Sequence, residues 1–254
     1  MQPLNSTIET QLTHRTIREF TDEPVSERVF NELMEVARAT ASSRGLQQTS
    51  IIRITDQALK DEMADIATQA YMARAPELLV FVADSHRSQE IAKEQGVEAP
   101  LGGSMNCFME SITESALVAQ NIVVAAESLG LGTNYFGNVL NDAARVIKLL
   151  GLPELTFPVV GLSLGYPNQS PQLKPRMDMN LRVMENRYRE PESWSQALAG
   201  YDEAMKTYYD LREGGRPSET FTKQTADKLR AENPMRTKMM RVAVAQGFDF
   251  ALED

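Results

Sequence analysis

The stretch that decides the fold is Ser104–Gly132, SMNCFMESITESALVAQNIVVAAESLGLG, the longest helical pattern in the chain. Its small residues allow close packing, so we expect the central helix of a core or of a dimer. Glycines at 130 and 132 predict where the helix ends. The apolar residues at helical spacing are Ile112, Ala116, Ala119, Ile122, Val123, Ala126 and Leu129.

Short stretches on both sides of this helix, either apolar or rich in β-branched and aromatic residues, predict β-strands. They are Thr49–Thr55, Leu78–Ala83, Thr133–Phe136 and Phe157–Gly165. Leu78–Ala83 is continuously apolar, which is typical of a strand buried on both faces. Helical patterns follow Ser26 and Asp56, which we interpret as N-caps. Helices therefore alternate with strands, which predicts an α/β or α+β core with helices on both faces.

Two regions are more polar than this core. The segment His86–Gly103 contains glycine and proline, and we expect a mobile excursion there. The composition changes again beyond about residue 190, where three charged helical segments are predicted. We therefore predict a core domain over residues 1–190 and a helical C-terminal extension over residues 191–254 that packs on the core or on a partner subunit. The three helical segments are Tyr201–Arg212, Phe221–Ala231 and Pro234–Gln246.

The composition is that of a globular protein. The chain has 254 residues, of which 42% are hydrophobic and 24% charged, enough for one large domain or a domain with an extension. The formal net charge of -9 disfavours nucleic acid and anionic membrane surfaces as partners, because both require a basic face. It does not exclude a small anion held in a local basic pocket.

Cysteine and histidine are scarce. The single Cys107 fits a reducing compartment, and we interpret it as structural because only His14 and His86 could activate it. So few ligands predict no metal site, although a site made of carboxylates alone would escape this argument. The first ten residues carry no signal-peptide pattern, and no apolar run approaches the roughly 20 residues that cross a bilayer. We therefore expect a soluble, cytoplasmic protein.

The stretch His14-Arg15-Thr16-Ile17-Arg18 places an imidazole, a hydroxyl and two guanidiniums within five residues. A helical or tightly turned backbone would let these side chains converge, whereas an extended one would send Arg15 and Arg18 to opposite sides. Guanidinium forks suit a phosphate or a delocalised anionic ring edge. Ordinary surface arginines beside a helix are the alternative interpretation.

A second basic cluster, Lys174-Pro175-Arg176, follows the last predicted strand. Alone it is interpreted as a solvated basic turn, but two basic clusters in an acidic protein suggest one shared phosphate. The hydroxyl-rich loop Ala39–Gly45 either bonds to its own backbone or aims donors at a ligand. The chain has neither a dinucleotide-binding glycine motif after its first strand nor a P-loop, so those two nucleotide-binding folds lack their usual support.

Taken together, these motifs resemble the nitroreductase family, and within it the oxygen-insensitive NADPH nitroreductase and NADPH–flavin oxidoreductase branch. The resemblance extends from about residue 8 into the C-terminal extension. It implies an α+β, three-layer α-β-α core with a helical C-terminal extension, in a homodimer. The stretches that carry it are His14–Pro24, Ala37–Ser43, Ile51–Asp56, Ala125–Gly132, Leu164–Pro167 and Leu173–Arg176.

The resemblance also implies a chemistry. One FMN would lie at each end of the dimer interface, take hydride from NADPH and pass it to a second substrate by a ping-pong mechanism. The cofactor would perform the hydride transfer, so we name no catalytic side chain. A fixed cation beside the pyrimidine edge would stabilise negative charge on the flavin.

The residues that the resemblance assigns fall into four groups. The first holds the phosphate and the pyrimidine edge: His14, Arg15, Thr16 and Arg18, completed by Lys174 and Arg176. The second reaches FMN from the partner subunit: Ser42 and Ser43. The third contacts the ring system. Gln69 would touch the polar edge of the flavin, and Tyr135, Phe136, Gly137 and Asn138 would lie along the ring, with a backbone N–H of Gly137 or Asn138 facing N5. The fourth binds the extra phosphate of NADPH: Arg212 and Arg216.

The chain departs from the pattern of the branch at several positions. Asn138 stands where a second glycine is often found, and Leu140 stands at a position that is often basic. Positions 233 and 234, where a second arginine for the extra phosphate of NADPH is expected, hold asparagine and proline. Arg216 or Arg236 could bind that phosphate instead, and NADH remains a possible reductant. The alternatives to a nitroaromatic or quinone reductase are a flavin reductase that supplies reduced FMN, and a non-catalytic flavin-binding sensor or storage protein.

Overall fold

The computed structural model describes residues 3–210, 216–230, 234 and 236–250. The chain forms two compact units, one of Met1–Gln169 with Asn233–Asp254 and the other of Ser170–Glu232. The compact units divide the chain after residue 169 and again after residue 232. The division into two domains at residue 190 stays a prediction.

Within the described residues, helices and strands alternate over most of the first unit. The helices are α1 (Ser6–Leu12), α2 (Glu27–Arg38), α3 (Gln57–Ala67), α4 (His86–Glu94), α5 (Met105–Ser128), α6 (Ala143–Leu150), α7 (Trp194–Ala197), α8 (Ala199–Lys206), α9 (Phe221–Arg230) and α10 (Met239–Ala245). The strands are β1 (Thr49–Arg53), β2 (Glu77–Asp84), β3 (Gly132–Phe136), β4 (Thr156–Gly165), β5 (Tyr209–Asp210) and β6 (Arg216–Pro217).

The first unit is built on one antiparallel sheet with the strand order β1-β2-β4-β3. Strand β2 lies in the middle, and all eight of its residues are buried, as the continuous apolar pattern predicts. Its register against β4 shifts between Phe81 and Val82, where a bulge interrupts the ladder. Antiparallel pairing throughout resolves the open choice of fold class in favour of α+β.

The sheet carries helices on both faces, so the predicted three-layer α-β-α core is confirmed. On one face α2 and α5 contribute Leu33 and Ile122, which pack with Phe81 of β2. On the other face Met63 of α3 and Val146 of α6 form a second cluster with β2 and β3. Burying one such side chain contributes about 1.5–3 kcal/mol, so the two clusters hold the sheet between its helices.

The predicted helix boundaries follow from local chemistry. The side chains of Ser26, Asp56 and Ser104 each accept a hydrogen bond from the backbone N–H three residues later. These bonds satisfy donors that the first turn of a helix leaves unpaired. At the other end of α6, Gly151 adopts a left-handed conformation with φ of +61°, which suits glycine.

Two of the predictions for secondary structure are wrong. The polar segment His86–Gly103, where the sequence predicts a mobile excursion, forms α4 and a 3-10 helix over Pro100–Gly103. The sequence of α4 has only two apolar residues, Ile91 and Ala92, and none of its residues is buried. In the second unit the helix predicted over Tyr201–Arg212 ends at Lys206, and Tyr209 pairs with Pro217 in a short ribbon of β5 and β6.

The second unit holds α7, α8 and α9 besides this ribbon. Asp202 of α8 joins α9 to α8, since its carboxylate accepts bonds from both the backbone N–H (3.0 Å) and the hydroxyl (2.5 Å) of Thr222. The ring centroids of Tyr201 and Phe221 lie 5.1 Å apart beside this contact. In the described part of the chain, no helix has the length and apolar character needed to cross a membrane.

Candidate functional site

The stretch His14–Arg18 lies alongside the beginning of β3. The backbone N–H of Ile17 donates to the carbonyl of Thr133 over 2.8 Å, and Thr16 pairs with Thr133 in a parallel bridge. Gly132 makes this approach possible, because a Cβ at that position would lie only 2.6–2.8 Å from the side chain of Ile17. Ile17 is buried, so it anchors the stretch to the sheet.

The backbone of this stretch is not helical, so the convergence of side chains that a helix would give does not occur. Arg15 Nη1 donates back to the carbonyl of Thr13 at 3.0 Å, whereas the His14 ring turns to α5. Each side chain therefore acts separately. The polar groups of the stretch are arranged by what each one contacts, and not by a common helical face.

The His14 ring is held by Glu127 of α5. Its Nδ1 lies 2.7 Å from Glu127 Oε1, and the same oxygen accepts a 2.7 Å hydrogen bond from the hydroxyl of Thr133. A carboxylate at Nδ1 favours a proton on that nitrogen and fixes the orientation of the ring. Glu127 was not among the predicted site residues. The signal that could have found it is its place within Ala125–Gly132, one of the stretches quoted for the resemblance.

Arg18 carries the clearest sign of a missing ligand. Its Nε is buried, and no group in the described ranges accepts a hydrogen bond from it. A buried donor of a charged side chain without an acceptor is costly, so natural proteins retain one chiefly where a ligand or an ion completes it. The ligand that would complete a guanidinium is an anion or a strong oxygen acceptor.

Two further polar atoms near this end of the sheet have no hydrogen-bond partner among the residues that the structure describes. They are Asn134 Nδ2 and Ser163 Oγ, which belong to directly paired residues of β3 and β4. Both residues are buried, with 5% and 1% of their surface exposed. Sequence reasoning missed both, although polar residues inside otherwise apolar strands were the available signal.

The other end of β3 leads into a 3-10 helix over Gly137–Asp142. Tyr135 is partly exposed and its hydroxyl donates to Gln120 Oε1 at 3.3 Å. Burial, with a smaller contribution from the Glu127 carboxylate, raises the pKa of Tyr135, so the phenol stays neutral near pH 7. The Phe136 side chain is in the core, 5.7 Å from the Tyr71 ring between centroids, which leaves only its backbone for a ligand.

The last turn of α3 contacts this 3-10 helix. Gln69 follows the C-terminus of α3, where Asn138 Nδ2 donates to the carbonyl of Ala67 at 3.2 Å. Asn141 Nδ2 donates to the adjacent carbonyl of Ile66 at 3.3 Å. Three of the predicted groups, at residues 14–18, 69 and 135–138, are thus connected through β3 and its two flanking contacts.

Comparisons with known proteins identify the family of this chain. Residues 12–166 match the nitroreductase family, and residues 174–251 match the C-terminal domain described for that family. The chain belongs to the nitroreductase family.

Named relatives cover almost the whole chain. It is 37% identical to the NADPH-flavin oxidoreductase of Vibrio harveyi and 38% identical to the oxygen-insensitive NADPH nitroreductase of Salmonella typhimurium. In each case the 231 matched residues cover 91% of this chain and 93% of the relative. The solved structure of the NADPH:FMN oxidoreductase from Vibrio harveyi complexed with NAD+ matches with a TM-score of 0.84 and 36% identity, over 96% of this chain and 98% of that one.

In this nitroreductase-family chain, the loop with Ser42 and Ser43 lies against α5. Ser42 Oγ accepts a 2.7 Å bond from the backbone N–H of Gln47, and Thr40 Oγ1 accepts a 2.8 Å bond from Asn121 Nδ2. A cavity of about 330 Å³ opens beside the loop, between α2, β1 and α5. The role of Ser42 and Ser43 in a partner's site stays a prediction.

The second basic cluster lies in the second unit. Lys174 Nζ is 5.7 Å from the centroid of the Tyr208 ring, and the Pro175 carbonyl accepts a 3.2 Å bond from the Tyr201 hydroxyl. The role of Lys174 and Arg176 in a shared phosphate site stays a prediction. Of the two arginines predicted to bind the extra phosphate of NADPH, Arg212 lies outside the described residues and Arg216 belongs to β6.

Proposed function

We propose that this chain is an FMN-dependent NAD(P)H oxidoreductase. The observation that carries the proposal is the buried Nε of Arg18, which finds no acceptor within the described chain and lies in a stretch anchored beside β3. The names of the relatives support the cofactor and the reductant, since they include an NADPH-flavin oxidoreductase and an NADPH:FMN oxidoreductase.

The donor set fits an anionic flavin mononucleotide. Arg18 supplies a guanidinium, the natural partner of phosphate or of a negatively charged ring edge. His14 is oriented by Glu127, which makes its second ring nitrogen available to a ligand. Bound FMN would supply the hydride chemistry. In this proposal His14, Arg15, Thr16 and Arg18, with Lys174 and Arg176, bind its anionic parts, and Gln69 and residues 135–138 contact the ring.

The protein groups bind and orient, and none needs to act as a nucleophile. The neutral phenol of Tyr135 and the amide of Gln69 offer uncharged polar contacts, which hold a ring without adding charge. We infer a homodimer with FMN at its interface, in which Ser42 and Ser43 reach the partner's site. We also infer a ping-pong reaction, a cytoplasmic location, and small-molecule acceptors such as nitroaromatics and quinones.

The flavin reductase alternative keeps the same site but a different acceptor. It is supported by the name of the Vibrio harveyi relative, which designates flavin as a substrate class. NADPH is the reductant that the names of the relatives favour, and NADH is the alternative that the experiment compares.

The test begins with the visible spectrum of the purified protein. We expect a flavin spectrum, bleaching of that spectrum by NADPH without oxygen, and recovery when a nitroaromatic, a quinone or free FMN is added. The order of the acceptor rates distinguishes a nitroreductase from a flavin reductase. A yellow protein that resists both NADPH and NADH would point to the sensor or storage alternative, and a protein with no affinity for FMN would overturn the proposal.

A further inference from the structure

The guanidinium of Arg236 is bound to the turn that follows β3. Arg236 Nη2 donates to the carbonyl of Gly137 at 2.6 Å and to Asn138 Oδ1 at 3.3 Å. Arg236 Nε donates to Asn141 Oδ1 at 3.1 Å. One side chain, far along the sequence, therefore contacts three acceptors within five consecutive residues.

The two asparagines pass this contact on to α3. Each amide uses its oxygen toward Arg236 and its nitrogen toward a carbonyl at the end of α3, at Ala67 for Asn138 and at Ile66 for Asn141. The last carbonyls of a helix have no partner within the helix, so these amides satisfy them. A cation beyond the C-terminus of a helix is also favoured by the helix dipole. We call Arg236, Asn138 and Asn141 the amide latch.

The turn that the amide latch contacts is also anchored in the core by one buried side chain. Val139, between the two asparagines, is fully buried in the core beside α3 and α6. The packing of Val139 in the core and the hydrogen bonds to Arg236 therefore both hold the turn in place. Asn138 provides a bond that glycine, the residue often found here in the branch that the chain resembles, could not provide.

The hydrogen bond from Arg236 to the Gly137 carbonyl also fixes the orientation of the peptide group to which that carbonyl belongs. The Gly137 carbonyl and the Asn138 N–H belong to the same planar trans peptide group and point in opposite directions. Holding the carbonyl on Arg236 therefore directs the Asn138 N–H away from Arg236. A cation at the carbonyl oxygen also polarises the peptide, which strengthens its N–H as a donor.

We propose that Arg236, through the amide latch, positions and polarises the Gly137–Asn138 peptide so that the Asn138 N–H donates to the bound flavin. The inference rests on the proposed function, since it takes residues 137 and 138 to contact the flavin. It makes Arg236 and Asn138 positioning residues. It also gives Arg236 a different role from binding the extra phosphate of NADPH, the role for which the sequence left it available.

The test compares Arg236→Gln and Asn138→Ala with the control Arg241→Gln. Arg241 is exposed on α10, so the control removes the same charge from the same part of the chain without touching the latch. Alanine is preferred to glycine at 138 because it removes the amide without adding backbone freedom. Amide hydrogen exchange by mass spectrometry measures the peptides that cover 137–142 in each purified protein.

We expect both latch variants to speed exchange over residues 137–142 by about tenfold, the effect of losing one such hydrogen bond. We also expect both to shift the reduction potential of the bound flavin in the same direction, while the control changes neither quantity. Unchanged exchange in both latch variants would overturn the proposal. So would a rise in the KM for NADPH in Arg236→Gln that Asn138→Ala does not share, because that pattern indicates a phosphate ligand.

The two arms of the experiment also separate this inference from the proposed function. Hydrogen exchange requires no flavin, so it decides whether the amide latch holds the turn even in a protein that binds none. A latch confirmed by exchange in a protein without affinity for FMN would overturn the proposed contact with flavin and leave the proposal rejected.

Discussion

The two ends of β3 are built from different chemistry. At its beginning, the stretch His14–Arg18 lies beside Thr133, and the groups there carry charge. They are the Glu127 carboxylate and the Arg18 guanidinium, whose Nε has no acceptor in the part of the chain that the structure describes. At its end, the turn Gly137–Asp142 offers amides and carbonyls, held from outside by Arg236. Only five residues of strand separate the two.

The difference indicates what each end can bind. A buried charged donor without an acceptor favours a ligand that brings negative charge, whereas amide and carbonyl groups such as those of residues 137–141 suit an uncharged polar edge. A flavin mononucleotide carries both kinds of group on one molecule. Substitutions at the first end test this difference, beginning with the contact between Gly132 and Ile17 that anchors it.

The largest effect is expected from Gly132→Ala. The added Cβ would lie 2.6–2.8 Å from three atoms of Ile17, so either the stretch or β3 must move. Overpacking of this kind costs about 1–3 kcal/mol, and because the clash includes Ile17 Cβ we expect a loss of about 3 kcal/mol in the free energy of unfolding. Chemical denaturation measures it.

Gly200→Ala is the matched control for Gly132→Ala. Gly200 lies in α8 with no atom within 4 Å of a Cβ built on it, so alanine should leave the stability unchanged or raise it by up to about 1 kcal/mol. Equal stabilities for the two variants would mean that Ile17 yields freely and does not anchor the first end of β3.

A smaller effect, on the ligand instead of the fold, is expected from Arg18→Ala. Hydrogen bonds to charged groups contribute about 1.5–3 kcal/mol, so the dissociation constant of FMN should rise about thirtyfold, equivalent to about 2 kcal/mol. Fluorescence quenching of FMN titrated with apoprotein measures it. Arg28→Ala, an exposed arginine on α2, is the control and should bind FMN as the wild type does. If Arg18→Ala bound FMN as tightly as the wild type does, Arg18 would not bind the anion, and the first end would not be the charged part of the site.

Much of the fold was predictable because its signals are local. The strand pattern of Leu78–Ala83 and the caps Ser26, Asp56 and Ser104 each depend on residues within a few positions. The helix α4 was missed for the same reason, since its polar sequence carries little apolar periodicity for a local rule to detect. The pairing of β5 with β6 was also missed, because strands of two residues carry almost no pattern.

The site divides along the same line. Residues 14–18 and 135–138 could be proposed from motifs, and the structure connects both to β3. The partner of His14 is 113 residues away in the chain, and the partner of Gly137 is 99 residues away. Contacts at that separation depend on how helices pack against the sheet. No local pattern encodes such contacts, so the pairing of Glu127 with His14 and the amide latch required the three-dimensional structure.

The smallest effect is expected from Glu127→Gln, which sharpens the comparison at the first end. Glu127 Oε1 receives the contacts of both His14 and Thr133, and a glutamine oxygen can accept both. The substitution therefore removes the charge and keeps the geometry. Because a neutral amide oxygen holds the ring N–H less strongly than a carboxylate does, His14 should be oriented less firmly toward a bound anion. We therefore expect the dissociation constant of FMN to rise about threefold to tenfold, close to 1 kcal/mol.

The ring ¹⁵N shifts of His14, measured together with the affinity for FMN, distinguish a role of the Glu127 charge from a merely structural role of this residue. The chain has only two histidines, so the ring ¹⁵N shifts of His14 can be followed with His86 as an internal reference. We expect the His14 shifts to move in Glu127→Gln while those of His86 stay in place, and Glu98→Gln, an exposed carboxylate on the same unit, to move neither. If FMN affinity fell without any change in the His14 shifts, Glu127 would act through packing alone. The preference of the first end of β3 for an anion would then rest on Arg18 and not on the contact between His14 and Glu127.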